Sequence, residues 1–208
     1  MHKRRFSLIA VALCVAWLTV PARSDDKPAA AGGAGGMTAE MQKQMELFTK
    51  LATPGPQHEG LKPMAGTFDA EVTSVMAPGA PPDVSKAVMK NEMVLDGRFL
   101  RSTCEGSMMG QPFHGVGYTG YDNLKKKYVG VWMDTMGTMM MVSEGSADPS
   151  GKVLTFTSTM PDPETGKDMN CRQVVTIASN DKHTMEMFAP GPDGKEYKCM
   201  TIVYTRAK

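Results

Sequence analysis

The chain has 208 residues, with 23 Lys and Arg against 22 Asp and Glu, 4 Cys and 20 Met. A net charge of +1 offers no footing for a nucleic-acid partner, which needs a clustered basic face. With 22% charged and 41% hydrophobic residues the chain reads as globular, and no apolar run reaches the roughly 18 residues of a membrane span.

From the N-terminus, His2-Lys3-Arg4-Arg5 is a positive n-region and Phe6 to Val20 a mostly apolar stretch of 15 residues. Ala22 and Ser24 supply small residues at the −3 and −1 positions of a cleavage site. Residues 1–24 are therefore predicted to be a signal peptide, cleaved before Asp25, which sends the protein to the periplasm or outside the cell. Anchoring through Cys14 is the lesser reading, because bulky Leu13 precedes it. Cleavage removes four basic residues and no acid, leaving 19 basic and 22 acidic residues, net −3. Cys104, Cys171 and Cys199 then remain; export permits one disulfide, and the three pairings stay open. None lies in a CxxC, so neither a zinc site nor a thioredoxin-type redox site is expected.

Residues 25–36, rich in Ala and Gly, read as a flexible linker. Thr38 is placed as the N-cap of a helix within 37–53, whose Met41, Met45 and Phe48 form an apolar stripe. That stripe needs an apolar surface, and one mouth of the following domain is the expected place. Thr53-Pro54-Gly55-Pro56 ends the helix.

From Gly66 the hydrophobic period becomes two. The predicted strands are 67–75, 86–95, 99–105, 112–121 and 128–134, then 138–145, 153–160, 171–178, 183–189 and 196–206. Turn chemistry separates them, as in Asp96-Gly97, Asp122-Asn123 and Asp193-Gly194. About ten short strands with no helical period between them predict an antiparallel meander that closes into an up-and-down barrel over 54–208. Phe68, Ala70 and Val72 share one face, as do Met89, Met93 and Leu95, then Leu154, Phe156 and Met160, and lastly Met200, Ile202 and Tyr204. Gly115, Gly117 and Gly120 predict sharp bending or close approach of a neighbour.

Several motifs in order give a resemblance. Gly55-Pro56-Gln57-His58-Glu59-Gly60-Leu61, then Met64-Ala65-Gly66-Thr67-Phe68, begins it. Leu95-Asp96-Gly97-Arg98-Phe99-Leu100, Gly117-Tyr118-Thr119-Gly120-Tyr121-Asp122-Asn123 and Gly191-Pro192-Asp193-Gly194-Lys195-Glu196 continue it. Together they resemble the bacterial family catalogued as domain of unknown function 1579, from about Pro54 to Arg206. The resemblance implies a calycin or lipocalin-like fold, with no established activity and no assigned catalytic residue. Gly66-Thr67-Phe68 is also similar to the lipocalin Gly-x-Trp motif, with Phe68 in place of the tryptophan. That similarity implies a structural pair, Arg206 from the last strand packing over Phe68 at the closed end.

Chemistry is scarce. Only His58, His114 and His183 survive cleavage, and no nucleophile motif accompanies them, so no enzyme and no cofactor is expected. A haem barrel similar to nitrobindin would need an axial His183 or His114, and nothing else marks such a site. No pair of strand carboxylates can be assigned a separation. Lys125-Lys126-Lys127 reads as a solvated turn. Five Met fall between Met133 and Met141. Thioethers suit Cu(I), with Met133, Met136 and Met139 as candidate ligands, but flexible Met also lines irregular apolar space.

The expected function is a binding protein that holds a small apolar or amphipathic molecule inside the barrel. The candidate lining is Phe68, Met89, Met93, Phe156, Met200, Ile202 and Tyr204, with His114 and Tyr118 as polar anchors. A filled barrel acting as an interaction module, and a Met-rich copper protein, are the alternatives.

Overall fold

The computed structural model describes residues 37–162 and 165–208, so the predicted leader and linker lie outside the described residues. Ala39–Lys208 form one compact unit. It begins with helix α1 (Ala39–Ala52), a short helical turn α2 (Pro56–Glu59) and a single 3-10 turn (Lys62–Met64). Ten strands follow. They are β1 (Gly66–Ser74), β2 (Asp83–Val94), β3 (Phe99–Met108), β4 (Gln111–Asp122) and β5 (Lys127–Asp134) in the first half. The second half holds β6 (Met141–Ala147), β7 (Val153–Pro161), β8 (Asp168–Ser179), β9 (Lys182–Pro190) and β10 (Glu196–Arg206). Each strand pairs antiparallel with its chain neighbours, and β1 pairs with both β2 and β10, which closes the barrel.

Closure leaves no open edge, and alternation then divides every strand between two environments. On β1, Phe68, Ala70 and Val72 are buried while Thr67, Asp69 and Glu71 are exposed. The predicted alignment of Leu95 with Met89 and Met93 fails. Leu95 starts the β2–β3 turn with φ of 50° and is exposed, because Asp96-Gly97 takes the chain out of the strand one residue earlier.

One end of the barrel is sealed by the segment that precedes β1. Leu61 and Met64 are buried there in a cluster with Leu100, Tyr128, Leu154 and Phe156. His58 is buried in the same segment, accepting the Gly55 N–H at Nδ1 (3.0 Å) and meeting the Tyr121 ring edge-on. Asn91 Nδ2 donates to Met64 O (2.8 Å) and Tyr128 Oη to Gln57 O (3.2 Å), so the plug is hydrogen-bonded to the wall it closes.

Arg206 fastens that seal. Its Cζ lies 4.6 Å from the Phe68 ring centroid. Its guanidinium donates to Ala65 O (3.0 Å), Pro63 O (3.2 Å), Asp181 Oδ1 (3.0 Å) and Asn180 O. Gly66 makes the approach possible: with φ of 127°, a Cβ there would sit 2.0 Å from Arg206 Nη1.

Helix α1 does not cover a mouth as its stripe suggests. It has no buried residue, and Met45, Leu47 and Phe48 are all exposed. It is held at its C-terminal end, where Asn123 Nδ2 donates to Leu51 O and Thr53 O (both 2.9 Å) and Arg98 Nε to Ala52 O (3.1 Å). These anchors are in the β2–β3 and β4–β5 turns, at the sealed end, where the plug already occupies the opening.

Candidate functional site

Ten strands enclose more space than their inward side chains fill. A cavity of about 510 Å³ lies between the plug and the opposite barrel end. Met64, Asn91 and His183 border it at the plug, and Met108, Met136, Met139 and Met160 at the other end. Eleven of the chain's 20 methionines line it, with Phe113, Trp132, Phe156 and Tyr204 as the aromatic wall. Unbranched thioether side chains have several low-energy conformers, so such a wall can repack around differently shaped guests.

Some polar groups of the wall bond one another, while Asn91 Oδ1 and His183 Nδ1 are buried without a partner. Trp132 Nε1 donates to Asp134 Oδ2 (2.8 Å), and Asp134 Oδ1 also accepts from Met136 N (2.9 Å). Gln173 Nε2 lies 3.8 Å from Met141 Sδ. His183 stacks on Tyr204 at 4.3 Å and meets the Phe68 ring edge-on at 4.6 Å. Burial, helped by the nearby Arg206 charge, holds the His183 imidazole down to about 4, so it is neutral at physiological pH. Burial chiefly, with Glu105 and Asp134 nearby, pushes the Cys104 thiol up to about 11, and burial also raises the Tyr204 phenol. The three cysteines among the described residues are free thiols, with Cys104 and Cys171 buried.

Of the residues read from sequence as lining, Met89, Phe156, Met200, Ile202 and Tyr204 border the cavity. Phe68 is wholly buried beneath it against Arg206 and His183. Met93 packs into the cluster around the plug. His114 is corrected: it is exposed on the outer face of β4 and is not an inward anchor. Tyr118 is exposed in the same outward row, yet it borders the cavity. The inward row of that strand is Phe113, Gly115, Gly117, Thr119 and Tyr121, and its glycines leave room for Trp132 of β5. A Cβ at Gly115 would sit 2.2 Å from Trp132 Cζ2, and one at Gly117 2.6 Å from Cε3. Trp132, Asp134 and Asn91 were not singled out from sequence. The available signal was a tryptophan two residues from an aspartate, in the strand following a Gly-x-Gly pair.

The three candidate copper ligands all border the cavity, Met136 and Met139 from the β5–β6 connection and Met133 from β5. Met133 pairs with Val116 in the outward row of that strand. Among the described residues no cluster of three or more His, Cys, Asp or Glu is arranged to hold a metal. No helix among them is long and apolar enough to cross a membrane.

Residues 53–206 match a family described as a protein of unknown function, DUF1579. The chain belongs to that family. Among curated proteins none matches it. Its barrel is similar to that of Rv2717c from M. tuberculosis, at a TM-score of 0.56 and 16% identity, over 75% of this chain and 100% of the other. It is also similar to the S-type phycobiliprotein lyase CPES from Guillardia theta, at a TM-score of 0.50 and 14% identity, over 72% of this chain and 92% of the lyase. At these identities the likeness is one of fold alone.

Proposed function

We propose that this protein is an exported binding protein that holds a small apolar or amphipathic molecule in its barrel. The observation that carries the reading is the cavity of about 510 Å³, walled mainly by Met and aromatic side chains. That volume falls within the roughly 300–1,000 Å³ of small-molecule sites. Binding energy would come from burying apolar surface at about 25 cal/mol per Å². The cavity also argues against the filled-barrel alternative, whose interior would pack at ordinary protein density. The fold shared with a phycobiliprotein lyase is in keeping with a small-molecule role. Export rests on the basic, apolar and small-residue pattern of residues 1–24.

Native mass spectrometry of the protein from the exported fraction of its own host tests both parts. A polypeptide beginning at Asp25 with an added mass of a few hundred daltons, lost on denaturation, is the expected result. A bare polypeptide that also fails to take up any added apolar probe would overturn the binding reading. A full-length chain confined to the cytoplasm would overturn export.

A further inference from the structure

The cavity wall has an unusual charge inventory for a site of this size. Among the described residues that line it there is no Lys and no Arg, and its single acidic group is Asp134, at the end away from the plug. The buried titratable groups of the wall, His183, Cys104 and Tyr204, are held neutral at physiological pH by the burial described above. The guanidinium at the floor does not compensate: Arg206 is committed to Ala65 O, Pro63 O, Asn180 O and Asp181 Oδ1 and covered by Phe68. Of the side-chain N–H donors on the wall, Asn91 donates to Met64 O and Trp132 to Asp134, and Gln173 faces Met141 Sδ. The His183 imidazole, whose Nδ1 has no partner, is a neutral group and supplies no charge to pair an anion.

A carboxylate or phosphate carried into this space would leave water without gaining a cation. An ionised group desolvated in that way is strongly disfavoured unless it is paired and hydrogen-bonded. The Asp134 carboxylate adds repulsion to an anion at that end and attraction to an ammonium. We propose that the cavity selects apolar molecules with an uncharged or cationic head and rejects anionic ones such as fatty acids. This rests on the binding reading above and narrows it to a ligand class.

Competition at neutral pH tests it, with N-phenylnaphthylamine as the fluorescent probe and decanol, decylamine and decanoate as matched competitors. Decanol and decylamine are expected to displace the probe at concentrations at least about tenfold below decanoate, since the tail is common and only the unpaired charge differs. Equal displacement by decanoate and decanol would overturn the inference while leaving the binding reading intact. Failure of the probe and of every competitor to bind would end the binding reading and the inference with it. A gain-of-function variant makes the same point: Met139→Lys, at an exposed position on the cavity border, should raise decanoate affinity relative to that of decanol several-fold. An unchanged preference in that variant would show that charge is not what excludes the acid.

Discussion

The imidazole of His183 lies between two aromatic rings with its Nδ1 buried and unpartnered. The unfolded chain protonates this group as pH falls through about 6.5, whereas the folded protein resists until about 4. Its contribution to stability is therefore complete above the upper value and drains away between the two, by on the order of 3 kcal/mol in all. Urea midpoints of the native protein and of His183→Phe, compared across that window, should converge as pH falls. A pH-independent gap between them would contradict this account. Trp132 gives a second test at this scale. Gly115→Ala drives a methyl into the indole and should cost about 1–3 kcal/mol, as overpacking does. Adding Trp132→Leu should recover part of that loss, and additive effects of the two changes would show that they do not touch. The same pair explains why the pattern of β4 points His114 to the wrong side of the wall. Its inward row contributes glycines where a barrel wall normally carries bulk, and the outward row, with His114, Val116 and Tyr118, looked the more substantial. The missing volume is supplied from β5, which no pattern within β4 can reveal.

The strands were largely legible because alternation is local: each strand records its own two environments in its residue order. Turn residues such as Asp122-Asn123 and Asp193-Gly194 separate strands in the structure as they do in the reading. Destination was not legible. The stripe of α1 is a genuine amphipathic pattern, yet the helix buries nothing, while the Pro56–Met64 segment, too short to show a period, supplies Leu61 and Met64 to the core. Removing residues up to Ala52 should accordingly move the thermal midpoint very little. Leu61→Ala, which opens a cavity beneath the seal, should cost about 2–5 kcal/mol. Differential scanning calorimetry of the two variants checks both, and the reverse ordering would mean that α1, not the plug, supports the barrel. The lysine turn also gained a partner: Lys125 and Lys127 both bond Glu144 on β6, which holds that carboxyl down to about 2.

On the scale of the whole molecule, the seam between β1 and β10 matters most, because it turns a sheet into an enclosure. Phe68 and Arg206 are register partners at that seam, so the contact that seals the floor is also the one that closes the barrel. Within the closed wall Cys104 and Cys171 are buried, and burial raises both thiols, which keeps them protonated and unreactive. In native protein a thiol reagent should modify half-buried Cys199 first, and Cys104 and Cys171 only at the rate of global opening. Rapid modification of Cys104 without denaturant would show that the barrel opens locally. An added ligand that fills the cavity should slow Cys104 further, since binding to the folded state alone lowers the open population.

Taken by itself, the sequence determined a closed meander of about ten strands, a Phe68–Arg206 pairing and a supply of methionine for its interior. Those properties follow from residue order within single elements, or from motifs carried whole by the family. Only the tertiary structure decided which segment fills the floor, which row of β4 faces inward and how the wall's few polar groups bond one another. It alone also showed that the interior keeps a cavity of about 510 Å³. Volume and charge balance inside a barrel are sums over ten strands, and no single strand carries the total.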